Sequence, residues 1–142
     1  MRDVIPPAVA RHPVEAVALA STALSDGDME AAIAQYEPTA RLVIWHEPAC
    51  PGGSPADQLA VVMKLRLPVR LRVRAIVRTG EMALLLTERQ VTGAGPDGEL
   101  IDLTGCGATV VRRQSGGGWR IAADAWELAG QGRPSASPRA PR

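Results

Sequence analysis

The sequence has no phenylalanine, two cysteines and a single lysine among its sixteen basic residues. Two cysteines, Cys50 and Cys106, are too few for a disulfide framework, and a structural zinc site needs four Cys or His ligands at characteristic spacings. We therefore expect no structural metal site. Each cysteine is interpreted as a small apolar side chain rather than as a nucleophile, because no Cys-His-Asn pattern accompanies it.

Neither sign of charge predominates, since the chain has sixteen basic and fifteen acidic residues and a net charge of +1. Such a chain has no overall field that would attract nucleic acid or an anionic membrane. No run approaches the roughly 20 apolar residues of a membrane span. Pro6, Pro7 and Pro13 interrupt the N-terminal segment, so no leader peptide is expected and we place the protein in the cytoplasm.

A length of 142 residues fits one domain with its own core. Both ends are rich in proline, glycine or other residues with little apolar surface to bury, and they are interpreted as flexible tails at 1–11 and 129–142. The folded domain is expected to cover residues 12–128.

Three helices are predicted. Apolar residues recur at helical spacing from Pro13 to Ser25. A second helix begins after Asp26 or Asp28, either of which can cap it, and carries Tyr36 on its apolar face. The motif S-P-A-D at 54–57 begins a third helix that runs to about Arg66. Pro38 is expected to end the second helix.

Five segments have strand character, at 40–46, from Val69, and at 82–92, 100–113 and 119–127. From Val69 onward, apolar residues alternate with arginines at 70, 72 and 74, which predicts one solvated or dimer-facing side. Gly105 and Gly107 predict a bulge or sharp bend in the fourth strand. Helices followed by strands joined as hairpins indicate an α+β fold.

Two stretches carry a resemblance to a known family. The run A-L-S-D-G-D-M-E-A-A-I-A-Q-Y-E-P-T-A-R-L-V and the ending G-G-G-W-R-I-A-A-D resemble the nuclear transport factor 2-like superfamily, in its SnoaL-like and ketosteroid-isomerase-like branch. This resemblance implies a cone-shaped, curved antiparallel sheet wrapped around three helices of the N-terminal half and enclosing an apolar pocket. It also implies chemistry without a cofactor.

The superfamily hosts several activities, and the matching positions separate them. The acid/base positions of ketosteroid isomerases correspond to Ile44, Ala20 and Gly107 or Ala108, none of which can transfer a proton. The Asp-Arg-Asp group of limonene-epoxide-hydrolase-like members corresponds to Val91, Arg89 and Asp124, so it lacks one carboxylate. The acid/base aspartate of SnoaL-like cyclases corresponds to Asp124.

Three residues are therefore candidate catalytic groups. Asp124 interrupts an apolar strand, and burial would favour the protonated form of a carboxylate and so suit proton transfer, although a solvated or Arg-paired carboxylate is the alternative. His46 could assist near neutral pH, although a histidine at a strand end is more often structural or on the surface. Arg89 could polarise a substrate oxygen, but we favour an outward pairing with Glu88 or Asp102.

Four large side chains are candidates for substrate binding, with ordinary core packing as the alternative. They are Tyr36, Trp45, Met63 and Trp126.

The leading hypothesis is a cofactor-independent cyclase or isomerase acting on a small apolar, polyketide-like intermediate of secondary metabolism. The alternatives are a non-catalytic binding or accessory protein and an epoxide-hydrolase-like enzyme. A sheet covered by helices on one side only also predicts a homodimer through its other side.

Overall fold

The structure is a computed structural model that describes residues 8–45 and 53–130. The element order is α1 (Pro13–Ser25), α2 (Met29–Ile33), β1 (Tyr36–Trp45), α3 (Pro55–Met63), β2 (Val69–Thr79), β3 (Met82–Ala94), β4 (Leu100–Arg113) and β5 (Trp119–Gly130). The strands form one five-stranded sheet in the order β1-β5-β4-β3-β2. The predicted α+β class is confirmed.

Strand pairing differs from the expectation in one place. The pairs β2–β3, β3–β4 and β4–β5 are antiparallel, as hairpin connections require, but β1 pairs with β5 in parallel. A parallel neighbour is possible because α3 and three strands separate β1 from β5 along the chain. The sheet is therefore mixed rather than wholly antiparallel.

The helices begin where capping residues predicted them. Asp28 accepts a hydrogen bond from the Ala31 backbone N–H, Ser54 accepts one from that of Asp57, and Pro13 and Pro55 occupy the first turns of α1 and α3. Two predicted ends were wrong. The second helix stops at Ile33, and α3 stops at Met63 rather than Arg66.

The early end of α2 moves Tyr36 from a helix into β1. Its backbone pairs with Ile121 of β5, and the register then shifts before Arg41. Pro38, which has no N–H to donate, lies in this irregular stretch rather than at a helix end. The shift matters for the site because Tyr36 becomes a sheet residue whose side chain is buried.

The core lies between the inner face of the sheet and the helices. Its largest fully buried apolar side chains come from β1, α3, β3, β4, β5 and α1 and include Leu42, Leu59, Leu85, Val91, Val111, Ile121, Trp126 and Val17. The Ser21 hydroxyl donates to the Val69 carbonyl oxygen (2.8 Å), and the Val69 N–H donates to the Ser25 hydroxyl (2.9 Å), which fastens α1 to the start of β2.

Gly105 of β4 lies close against the backbone of β5. A Cβ atom on this residue would overlap the carbonyl oxygen of Glu127. Only glycine fits there, and this is the region where the sequence predicted a bend. Strand pairing also extends just beyond both predicted domain ends, since Ala10 bridges to Trp119 and β5 reaches Gly130.

Candidate active site

A β-bulge aims Asp124 into the protein interior. In the β4–β5 ladder, Val110 pairs with Ala123 and Val111 with Ile121, so Ala122 is an extra residue on β5. Ile121 lies on the inner face, and side chains alternate along a strand. Without the extra residue, Asp124 would therefore lie on the outer face, since it is three residues beyond Ile121. Asp124 is instead buried, with 5% of its surface exposed.

Three side chains donate hydrogen bonds to the Asp124 carboxylate. The Thr109 hydroxyl, opposite on β4, donates to Oδ1 at 2.6 Å. The Tyr36 hydroxyl from the start of β1 and the Trp126 indole Nε1, two residues further along β5, each donate to Oδ2 at 2.9 Å. Three strands therefore converge on one carboxylate, and most of its acceptor positions are filled.

Arg89 supplies the opposite charge. Its Nη2 atom lies 3.8 Å from Asp124 Oδ1, and its guanidinium carbon lies 3.9 Å from the centroid of the Trp126 ring. Burial lowers the pKa of Arg89, and the Asp124 charge opposes that change. Arginine remains protonated in proteins, so the pair is a buried ion pair with a cation–π contact on one side.

The position of Arg89 corrects the sequence interpretation. We expected it to point outward toward Glu88 or Asp102, but Arg89 is only 4% exposed and pairs with Asp124. Side-chain alternation along β3 explains the difference, because Leu85, Thr87, Arg89 and Val91 all lie on the inner face. Glu88 lies on the outer face and pairs with Arg72 and Arg74.

Tyr36 is held neutral by its surroundings. Burial raises the pKa of its hydroxyl well above the ordinary value, and the negative charge of Asp124 raises it further, while Arg89 opposes the change. At neutral pH the group is therefore a phenol that donates to Asp124. Its oxygen keeps lone pairs that could accept a proton from a bound molecule.

The remaining candidates are distributed as follows. Met63 ends α3 and is half-buried against the core, and Tyr36 and Trp126 both contact Asp124. The backbone of Trp45 pairs with Glu127 at the end of β1. His46 lies outside the described residues, as does Cys50, so their predicted roles remain predictions. Cys106 is exposed, not buried as a core side chain.

Two polar residues of this cluster escaped the sequence analysis. Thr109 and Thr87 are fully buried on the inner face. Thr109 pairs with Asp124 across β4 and β5, and Thr87 precedes Arg89 by two residues on β3. Their positions carried a signal, since Thr87 lies between the inward Leu85 and Arg89 on β3, and Thr109 lies next to the inward Val111 on β4. Threonine is a good strand former, however, and such a residue does not by itself stand out.

The positions that match other activities hold apolar residues. Ile44 and Ala20, at the ketosteroid isomerase positions, are buried, and Val91, at the position of the missing epoxide-hydrolase carboxylate, is completely buried two residues beyond Arg89. Within residues 8–45 and 53–130, no group of three or more His, Cys, Asp or Glu side chains could hold a metal ion. No helix in this part of the chain is long and apolar enough to cross a membrane.

The outer face of the sheet carries an open groove of about 550 Å³. Its outward side chains are polar or charged and include Arg70, Arg72, Glu88, Gln90, Thr104 and Cys106. Arg89 and Gly105 also border this groove, although both occupy inward positions on their strands. This groove differs from the apolar enclosed pocket that the resemblance implied.

No protein-family model and no curated protein matches the sequence. Solved structures do match. A ketosteroid isomerase-like protein from Erwinia carotovora superposes with a TM-score of 0.67 at 19% identity, over 88% of this chain and 94% of that one. A conserved protein from Planctomyces limnophilus gives 0.73 at 16% identity, over 83% and 94%.

A nuclear transport factor 2-like superfamily protein from Salmonella enterica gives a TM-score of 0.63 at 17% identity, over 87% of this chain and 93% of that one. A curved sheet wrapped around helices is the architecture that these structures share with the present chain. The protein has the nuclear transport factor 2-like fold, as its sequence predicted. At these identities the likeness concerns the fold, and activity must be argued from the site.

Proposed function

We propose that the protein is a cofactor-independent enzyme of the isomerase or cyclase type, acting by proton transfer on a small apolar organic molecule. The observation that carries this proposal is the buried Arg89–Asp124 pair, with Tyr36 hydrogen-bonded to the same carboxylate. Buried ionisable groups of opposite sign are costly to maintain and concentrate at functional sites. Similarity of fold to a ketosteroid isomerase-like protein is consistent with this class.

In the proposed reaction, a proton leaves a carbon next to a substrate carbonyl and moves to the Tyr36 oxygen. The Tyr36 proton moves at the same time to Asp124 Oδ2, along the existing 2.9 Å hydrogen bond. The electron pair of the broken C–H bond moves into the carbonyl group, and the resulting enolate oxygen is stabilised by Arg89. Return of the proton from Asp124 through Tyr36 to another carbon gives isomerisation. Attack of the enolate carbon on a second carbonyl carbon, whose oxygen then takes up this proton, gives cyclisation.

A non-catalytic binding protein is the second candidate, and one observation favours it. Asp124 already accepts from Tyr36, Thr109 and Trp126 and faces Arg89, so the carboxylate could serve mainly to orient its donors. In that case the interior would hold a ligand without changing it. Polyketide-like intermediates of secondary metabolism and a cytoplasmic location remain predictions from the sequence.

A homodimer is proposed as the working form. One row of apolar or small side chains crosses the outer face of the sheet from β2 to β1, namely Ala75, Leu86, Ala108, Ala125 and Val43. A second row, formed by Val77, Leu84, Val110 and Ala123, runs from β2 to β5 and meets Arg41 on β1. Val77, Leu84 and Leu86 are 57%, 37% and 43% exposed. A continuous apolar band of this kind favours a self-complementary partner surface.

The function is tested by incubating the protein in D₂O with neutral ketones that carry acidic C–H bonds, such as 3-cyclohexen-1-one. Proton NMR then follows deuterium entry and movement of the double bond. We expect exchange above the buffer rate, and native mass spectrometry of freshly purified protein should reveal a copurified small molecule. Copurification of a ligand without exchange of any ketone would favour the binding protein instead.

A further inference from the structure

The arginines that alternate along β2 take no part in the interior site. Arg70, Arg72 and Arg74 are all exposed. Arg70 pairs with Gln90, and Arg72 pairs with Glu88, across β2 and β3 on the outer face. Arg74 lies at the register shift in β2, and its guanidinium also contacts Glu88. Arg70 and Arg72 line the open groove of about 550 Å³ on this face of the sheet.

The groove crosses three strands. Gln90 of β3 lies between Arg70 of β2 and Thr104 of β4 in the register of the sheet, and all three residues line the groove. A bound molecule would therefore lie across the strands, whereas an extended peptide that pairs with the edge strand β2 would run along it. The volume falls within the range of about 300–1,000 Å³ that is typical of sites for small organic molecules. The shape of the groove favours a small ligand over a peptide.

Positive charge is in excess at the groove. Among the described residues that line it, Glu88 alone is acidic. Glu88 forms ion pairs with two guanidinium groups, that of Arg72 at 3.7 Å and that of Arg74. Arg70 has no ion-pair or hydrogen-bond partner within the described part of the chain. Three positive charges and one negative charge therefore leave a surplus of two positive charges.

Free hydrogen-bond donors accompany this charge. The guanidinium N–H groups of Arg70 are unpaired, and the 3.7 Å separation between Arg72 and Glu88 is longer than a hydrogen bond. The Gln90 side-chain amide also lacks a hydrogen-bond partner among residues 8–45 and 53–130. Guanidinium groups bind phosphate oxygens through parallel N–H···O bonds. Two arginines and an amide on one face therefore provide donors suited to a phosphate group.

We propose that this groove is a second binding site, for an organic dianion of the phosphate monoester class, whose charged group contacts Arg70, Arg72 and Gln90. A phosphate monoester carries about −1.5 to −2 charges at neutral pH, which matches the surplus of two positive charges. Its organic part occupies the remainder of the groove toward Thr104. The inference goes beyond the proposed function, because the groove lies on the face of the sheet opposite to that of Asp124.

Isothermal titration calorimetry with the full chain tests the site at about pH 7.5, where phenyl phosphate is doubly charged, and at an ionic strength of about 10 mM, where screening is weak. Phenyl phosphate should bind, benzoate should bind at least about threefold more weakly, and phenol should not bind. Arg70→Gln should weaken the binding of phenyl phosphate about tenfold. Glu88→Gln removes the competing carboxylate and should strengthen binding about threefold. Arg120→Gln, which replaces an exposed arginine of β5 outside the groove, is the matched control and should leave the affinity unchanged.

The position of the ligand is measured separately, with ¹⁵N-labelled protein, in which phenyl phosphate should shift the Gln90 side-chain amide resonances to saturation. Four outcomes overturn the inference. Absence of saturable binding would remove the site, and an unmoved Gln90 amide would place the ligand elsewhere. Equal losses in Arg70→Gln and Arg120→Gln would mean general attraction by positive charge, and equal affinity for benzoate would remove the preference for a dianion. Because Glu88→Gln is expected to gain affinity, misfolding of a variant cannot produce the expected pattern.

Discussion

Arg89 of β3 and Asp124 of β5 form an ion pair across the intervening strand β4, with 3.8 Å between Nη2 and Oδ1 and almost no exposure of either side chain. Thr109 on β4 pairs directly with Asp124 and donates to the same carboxylate. The pair therefore joins three neighbouring strands from the inner face. Its energetics should differ from those of the ion pairs at the protein surface.

Arg89→Met should destabilise the fold by about 3–5 kcal/mol, because it leaves the Asp124 carboxylate buried without its counter-charge. Adding Asp124→Asn should recover at least about 1 kcal/mol of that loss by removing the charge. Arg113→Met, which breaks the exposed Arg113–Glu81 pair, should cost less than about 1 kcal/mol. Urea unfolding of the wild type, these three variants and the single variant Asp124→Asn measures these values, and strictly additive losses at Arg89 and Asp124 would contradict the pairing.

Tyr36 predicts a pH dependence. Because burial raises the pKa of Tyr36 above the usual 10.0, the folded protein keeps a proton that the unfolded chain releases. Its contribution to stability is fully present below the unfolded pKa and is lost as pH rises through the folded pKa. Stability should therefore fall above about pH 10, and Tyr36→Phe should remove this part of the slope.

Tyr36 is the only tyrosine in the chain, so tyrosinate absorbance reports on it alone. In an alkaline titration the absorbance should rise only together with unfolding, as followed by circular dichroism. A rise near the ordinary tyrosine pKa in the folded protein would show that the hydroxyl is exposed.

Gly105→Ala should be severely destabilising, by at least about 3 kcal/mol, because its Cβ would overlap the Glu127 backbone, which cannot move without breaking the β4–β5 ladder. Gly116→Ala is the matched control, since a Cβ there meets nothing within 4 Å. Thermal unfolding distinguishes the two. Equal melting temperatures would mean that β5 does not approach Gly105 as closely as the structure indicates.

The outer-face dimer predicts that Leu84→Glu and Leu86→Glu disrupt self-association, because each places a charge in the apolar band. Val61→Glu replaces an apolar residue of α3 that is also exposed and should leave the dimer intact. Sedimentation velocity at tens of micromolar, an order-of-magnitude choice for a standard-size interface, provides the measurement. A wild-type protein that sediments as a monomer would contradict the dimer.

Local signals in the sequence predicted most elements well. Proline and capping residues located the beginnings of α1, α2 and α3, and period-two alternation located β2. Tyr36 was misplaced because its spacing from Met29 and Ile33 fits a helix. Pairing with Ile121, a residue distant in the chain, makes it part of a strand instead.

The candidate site was harder to predict because it depends on which side of the sheet each residue faces. Counting from Ile121 in steps of two would place Asp124 on the outer face, and only the extra residue Ala122 turns it inward. Likewise, charge alone favoured a surface position for Arg89. Asp124, whose charge balances that of Arg89 in the interior, lies two strands away in the sheet.

The most direct test of the proposed function compares ketone hydrogen–deuterium exchange by the wild type with that by Asp124→Asn. Asparagine keeps the side-chain shape but cannot take up the proton that Tyr36 passes on, so the rate should fall by about 10²-fold or more while the fold persists. Glu127→Gln, an exposed carboxylate on the same strand, should exchange at the wild-type rate. An Asp124→Asn variant that exchanges as fast as the wild type would contradict proton transfer through Asp124.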